Sequence, residues 1–186
     1  MKLNPRLAFR ASALSLISAF VLSCSFAVAG GSVSKVSIKD LEGKKVSIDF
    51  SASPLTLVNF WAVWCMPCRD EIPDIAKLVS EFEGKGLKVY GIALESGEAA
   101  EVKSFLEGHK EFGLNYPILL GADDTGDAFG GVMAVPTTFL VDARGKIIKR
   151  YIGVTSDFRK KVGAEITRAL EAGKPEASAP KTAPGN

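Results

Sequence analysis

Cys65 and Cys68 are separated only by Met66 and Pro67, and the third cysteine, Cys24, lies far upstream. Two sulfurs at that spacing on a helix lie one turn apart on the same face, so one can attack a disulfide formed by the other. They also stand where an apolar run, Leu55 to Ala62, gives way to helical periodicity. A sulfur at a helix N-terminus meets unpaired backbone N–H groups and the positive end of the helix dipole, both of which favour thiolate over thiol. The chemistry expected of the pair is thiol-disulfide exchange, with Cys65 as nucleophile and Cys68 as the resolving sulfur. Metal ligation and a structural staple are the two plainer uses. A structural zinc site takes four ligands, whereas this chain has no second cysteine pair and one histidine. A staple across so short a loop removes little entropy from the unfolded chain.

The elements that must hold these sulfurs follow from periodicity. Leu55 to Ala62 is apolar on both faces apart from Thr56 and Asn59, as in a central strand covered on both sides. Ile72, Ile75, Leu78, Val79 and Phe82 recur at helical spacing and stop at Gly84, which predicts a helix from about Cys65 to Glu83, with a kink at Pro73. Leu87 to Leu94 is the next strand, and Ala99, Val102, Phe105, Leu106 and Phe112 stripe the helix after it. His109 falls on that stripe and is expected to pack there. Upstream, Val33 to Ile38 and Lys45 to Asp49 alternate around Glu42-Gly43 as a hairpin. Downstream, Tyr116 to Leu120 is a short strand, and the Gly- and Asp-rich stretch to Gly131 has room only for a short helix. Thr138 to Val141 and Ile147 to Ile152 form a hairpin about Arg144-Gly145, and Phe158, Val162, Ile166, Ala169 and Leu170 mark a last helix. The order is that of an α/β layer fold with a mixed sheet.

The segment Phe60-Trp61-Ala62-Val63-Trp64-Cys65-Met66-Pro67-Cys68 resembles the thioredoxin active site, and Val135-Pro136-Thr137-Thr138-Phe139 resembles that family's cis-proline segment. The N-terminal hairpin, the longer central stretch and the basic, apolar leader are similar to the TlpA/ResA branch of extracytoplasmic thiol-disulfide oxidoreductases. The likeness covers about Val33 to Ala172. It implies a thioredoxin-like three-layer α/β fold with a mixed central sheet, an N-terminal β-hairpin and a central insertion. It further implies that Trp64, Pro67, Val135 and Pro136 meet substrate, since the backbone before a cis proline is free to pair with an extended chain. One position departs from the pattern. Thioredoxins carry a buried Asp six residues before the first cysteine, where this chain has Asn59. Asn cannot take up the Cys68 proton, and Glu71, one turn further along the helix, is the nearest replacement. The ResA type also carries Glu there. The alternative for Glu71 is a solvated carboxylate that complements the helix dipole. Arg69 and Asp70 are expected to face solvent, Trp64 to be exposed and Trp61 to pack in the core.

Of 186 residues, 47% are apolar and 24% charged, with a net charge of +2, as in ordinary globular chains. Residues 1–29 hold Lys2, Arg6 and Arg10 and no acid, so their removal leaves 20 bases against 21 acids, a net charge of −1. That balance argues against a nucleic-acid partner, because phosphate binding needs a clustered cationic face. The leader's basic start, uncharged run Ala11 to Ala29 and Ala27-Val28-Ala29 end read as a secretory signal. Lipidation at Cys24 and an uncleaved membrane anchor stay open beside cleavage. All three deliver the chain outside the cytoplasm, where disulfides persist. The expected organisation is a leader over 1–29, a thioredoxin-like domain over 30–172 and a disordered tail over 173–186, whose Lys174 to Asn186 portion has three prolines and almost nothing apolar.

The activity implied is reduction of protein disulfides, including those of apocytochrome c during maturation, with recharging by a membrane thiol-electron donor and no cofactor beyond the cysteines. Three alternatives differ in chemistry. A dithiol oxidant or isomerase depends on a strongly stabilised Cys65 thiolate, and Met66-Pro67 lacks the His of the strongly oxidising type. A thiol peroxidase carries Thr and Pro where this chain has Ala62 and Val58. A Cu(I) chaperone would use Cys65, Cys68 and Met66 as soft ligands.

Overall fold

The computed structural model describes residues 31–173. The leader with Cys24 and the tail beyond Gly173 lie outside the described residues. Leu55–Trp61 (β3) is buried at every position, as its two-sided apolarity requires. It sits near the middle of a seven-stranded mixed sheet in the order Lys45–Ile48 (β2), Val36–Asp40 (β1), Ile118–Leu120 (β5), Leu87–Ala93 (β4), β3, Thr137–Asp142 (β6) and Ile147–Ile152 (β7). Leu87–Ala93 (β4) and Ile118–Leu120 (β5) run parallel to it, with Leu57 opposite Val89 and Ile92 opposite Leu119. Val36–Asp40 (β1) and Lys45–Ile48 (β2) form the entry hairpin, and β1 pairs antiparallel with β5. Thr137–Asp142 (β6) pairs antiparallel with β3 and with Ile147–Ile152 (β7). The β6–β7 turn requires Gly145, whose φ is 80° and which accepts the Val33 N–H at 2.7 Å.

Alternation along the central strands sorts side chains into two cores. Leu55, Leu57 and Trp61 face Met66–Phe82 (α1), Ala99–Glu107 (α2) and Phe158–Ala172 (α3), through Ile72, Ile75, Val102, Val162 and Ile166 among others. Val58 and Phe60 face the opposite side, which holds Ile92, Leu119, Phe139 and Val141. Among the described residues no α-helix contributes to that second core; it is closed by Val33, by Phe50 on the 3-10 turn Phe50–Ala52, and by Phe129 on the 3-10 turn Asp127–Phe129. Phe129 stacks edge-on against Phe60 at 5.1 Å between ring centroids, with Phe139 also at 5.1 Å. The short helix allowed for in the Gly- and Asp-rich stretch is therefore only this three-residue turn, since Gly130 and Gly131 follow with φ of 79° and 91° and end it.

Helix α1 begins one residue later than its periodicity predicts, with Cys65 as its N-cap, and is continuous through Pro73. The expected long second helix ends at Glu107; a 3-10 turn over Lys110–Phe112 completes its stripe. His109 stacks on the rings of both Phe105 and Phe112, centroids 4.3 and 5.0 Å away, with Nδ1 2.7 Å from the Phe105 carbonyl oxygen. Among the described residues no helix is long and apolar enough to cross a membrane.

Candidate active site

The C-terminal end of β3 and the first turn of α1 bring the two cysteines together. Cys65 has extended backbone angles, and its Sγ accepts the Cys68 N–H at 3.2 Å, one of the donors that a helix start leaves open. The two sulfurs are bonded to each other, so the structure holds the oxidised pair. Pro67 sits in the opening positions of α1, where its missing N–H costs no helical bond. Both cysteines are buried, Cys65 at the cap with 4% of its surface exposed and Cys68 inside the first turn with 1%.

The peptide that presents Cys65 is held from three sides. Ser96, buried in the loop after β4, accepts the Val63 N–H through Oγ at 3.1 Å and donates to the Leu94 carbonyl at 2.8 Å. Arg69 donates to the Val63 carbonyl at 2.9 Å, and its guanidinium lies 4.9 Å from the centre of the Phe105 ring. The Trp64 indole donates to the Glu95 carbonyl at 2.9 Å, which Glu95 offers from a left-handed conformation with φ of 45°. Arg69 is thus only half-exposed, against the expectation that it faces solvent, because the Val63 carbonyl and Phe105 engage it; Asp70 is exposed. Ser96, Arg69 and Glu95 escape sequence reasoning because their partners lie 6 to 33 residues away. The Glu95-Ser96-Gly97 turn signal after β4 was the one trace of such a loop.

Trp64 is exposed over 57% of its surface and Trp61 over 1%, each as its position in the motif suggests. Val135, half-buried, meets Trp64 across a cleft of about 120 Å³ whose walls also include Leu94, Glu95 and Met133. The Val135–Pro136 peptide is cis, and Pro136 is buried. Met66 and Met133 extend this apolar surface, with exposures of 65% and 97%. Among the described residues no cluster of three or more His, Cys, Asp or Glu side chains is placed to hold a metal ion.

Beneath the sulfurs, Asn59 is buried and donates to Thr138 Oγ1 at 2.9 Å, which ties β3 to β6 and leaves no titrating group at that position. Glu71 is also buried, on the sheet side of α1. A solvated, dipole-complementing carboxylate does not describe it. Burial pushes its carboxyl up to about 7, and the nearby Asp74 charge adds to the rise.

The sequence model of the AhpC/TSA family matches residues 26–150. Thiol-disulfide oxidoreductase ResA of Bacillus thuringiensis (strain Al Hakam) is 33% identical over 117 residues, which are 62% of this chain and 65% of that protein's length. Thiol-disulfide oxidoreductase ResA of Geobacillus thermodenitrificans (strain NG80-2) is 31% identical over 185 residues, covering 94% of this chain and all of that protein. The crystal structure of a thiol:disulfide interchange protein, a thioredoxin family protein from Chlorobium tepidum TLS, superposes with a TM-score of 0.64 at 28% identity, over 76% of this chain and 97% of that one. A cysteine-capped helix following a buried central strand, the seven-stranded mixed sheet and these similarities agree: the fold is thioredoxin-like, and the chain belongs to the AhpC/TSA family.

Proposed function

We propose that this protein is a thiol-disulfide oxidoreductase that reduces protein disulfides outside the cytoplasm. The carrying observation is the bonded Cys65–Cys68 pair at the head of α1, with Cys65 as N-cap and Glu71 buried one turn beyond Cys68. In the reduced protein, the Cys65 thiolate attacks one sulfur of a substrate disulfide. The substrate S–S bond breaks, its other sulfur leaves as a thiolate and takes a proton, and a mixed disulfide joins Cys65 to substrate. Cys68 then gives its proton to the Glu71 carboxylate and attacks Cys65 Sγ. The mixed disulfide breaks, the second substrate thiol is released, and two electrons have passed from the cysteine pair to the substrate.

Trp64, Pro67, Val135 and Pro136 are assigned to substrate contact; Trp64, next to Cys65 in the chain, lines one cleft with Val135, and Pro67, between the two cysteines in sequence, is exposed. The names of the ResA relatives support the activity, and cytochrome c maturation is the process to which the resemblance points, with apocytochrome c disulfides as substrate. A membrane thiol-electron donor would restore the reduced pair. The leader over 1–29, cleaved, lipidated at Cys24 or retained, would deliver a thioredoxin-like domain over 30–172 to that side of the membrane, with a tail over 173–186. The direct test is capture: a Cys68→Ser variant expressed with its leader should accumulate mixed disulfides with extracytoplasmic cysteine proteins. Failure to trap any, together with no reduction of insulin by the dithiol protein, would remove the reading.

A further inference from the structure

Below the site, three buried polar atoms have no hydrogen-bond partner among the described residues: Glu71 Oε2 on α1, Trp61 Nε1 on β3 and the Tyr116 hydroxyl just before β5. Buried polar groups are ordinarily partnered, so each exception calls for a reason. Here the chemistry is complementary. An indole N–H only donates, a phenol can donate, and a carboxylate only accepts.

The backbone brings the two donors to one place. A Cβ added to Gly91 on β4 would lie 2.5 Å from Ile118 Cδ1, 3.1 Å from Tyr116 Cε2 and 3.3 Å from Trp61 Nε1. Glycine therefore leaves open the space where the edge of the phenol ring and the indole N–H converge. The neighbouring Asn115 pins this segment to the helix that carries Glu71, its amide donating to the Ala76 carbonyl and to Ser80 Oγ, both at 3.1 Å. The Tyr116 phenol is pushed far up, chiefly by burial and further by the Glu71 charge. Asp74 is the other charged group that acts on Glu71. β3 and β4 present Trp61 and Gly91, which do not titrate, and α3 and the turn at Lys110–Phe112, also packed on α1, bring no group that moves the carboxyl.

We propose that Tyr116 is a positioning residue for Glu71: its hydroxyl and Trp61 Nε1 donate to a shared water that in turn donates to the Glu71 carboxylate. This rests on the reading that Glu71 accepts the Cys68 proton. To accept it, the carboxylate must be charged before the transfer, and burial opposes that charge; a donor inside the same pocket offsets the opposition.

The test is a carbon-13 titration of the glutamate carboxyls in the disulfide form, where the cysteines carry no protons. Tyr116→Phe keeps the ring and removes the donor, so the Glu71 midpoint should rise by about one pH unit. Incorporating 3-fluorotyrosine, a stronger donor, should lower it without changing the packing. In the dithiol form Tyr116→Phe should shift the thiolate titration of the wild type and leave that of Glu71→Gln unmoved. A Glu71 midpoint that stays in place or falls in Tyr116→Phe overturns the proposal. Insulin reduction by the wild type tests the activity separately: an inactive wild type whose midpoint still rises in Tyr116→Phe supports the hydrogen bond and overturns the catalytic reading.

Discussion

At the scale of single residues, the division of labour between two chemically identical side chains comes from position. Cys65 is the cap and Cys68 lies inside the helix, a difference on which the proposed roles of nucleophile and resolving sulfur rest. Cys65→Ser should abolish reduction of a model disulfide. Cys68→Ser should retain the first attack and stall at the mixed disulfide, which non-reducing gels will display. In the dithiol protein, iodoacetamide at mildly acidic pH should label Cys65 before Cys68; the reverse order would exchange their roles. Glu71 makes a second measurable claim. Its carboxyl rises from an ordinary value of 4.5 in the unfolded chain to about 7 in the fold, so the native state binds the proton more tightly. The stabilisation is complete below about pH 4.5 and is lost as pH climbs through about 7, by no more than about 3 kcal/mol. Urea unfolding of the oxidised protein should show this decline, and Glu71→Gln should flatten it. In the dithiol form the same variant should lower the apparent thiol pKa values, because a charge beside the sulfurs is gone, and slow resolution of the mixed disulfide.

At the scale of elements, the loop between β3 and α1 owes its shape to the loop after β4. Ser96→Ala removes the acceptor of the Val63 N–H and the donor to the Leu94 carbonyl. It should cost about 1–3 kcal/mol, since both partners lie in a largely buried place, and the Val63 amide should exchange faster with deuterium. Identical exchange in the two proteins would remove Ser96 from the support of the site. The far face of the sheet obeys another logic. Phe129 plugs a core to which no α-helix contributes among the described residues, so Phe129→Ala should cost about 3–5 kcal/mol in chemical unfolding. Its effect on Cys65 labelling in the folded protein should be slight, because β3 and β6 separate it from the cysteines. A large change in labelling would mean that the two cores are coupled through the sheet.

For the whole molecule, the direction of electron flow depends on how much more stable the dithiol form is than the disulfide form. Met66 and Pro67 place no imidazole between the sulfurs. The reduction potential should therefore lie nearer to the roughly −270 mV of thioredoxin than to the roughly −120 mV of DsbA. Equilibration with glutathione buffers measures it. A pair that stays reduced in a strongly oxidising buffer would recast the protein as a dithiol oxidant. The sheet order adds a structural consequence: β1 and β2 extend the sheet from the β5 edge, so the entry hairpin is part of the layer rather than an appendage.

Much of this was legible from local spacing. The cysteine pair, the strand before it, the helix after it and both hairpins depend on contacts between residues a few positions apart, and side-chain period records such contacts directly. The β-α-β order restricts strands β3 and β4 to parallel pairing, so the fold class follows from the same periods. Tertiary packing decided the rest. Whether Glu71 is a solvated first-turn acid or a buried carboxyl depends on what packs on its helix, and α1 lies against the core that holds Trp61, Val89 and Tyr116. Arg69 turns inward because the Val63 carbonyl and the Phe105 ring, six residues back and on another helix, await it. The second core is closed by a three-residue turn because one phenylalanine wedged among three others fills the space, and no helical period need announce it. Sequence by itself determined which groups can do chemistry; their protonation and support come from neighbours distant along the chain, because desolvation and hydrogen bonding act through space.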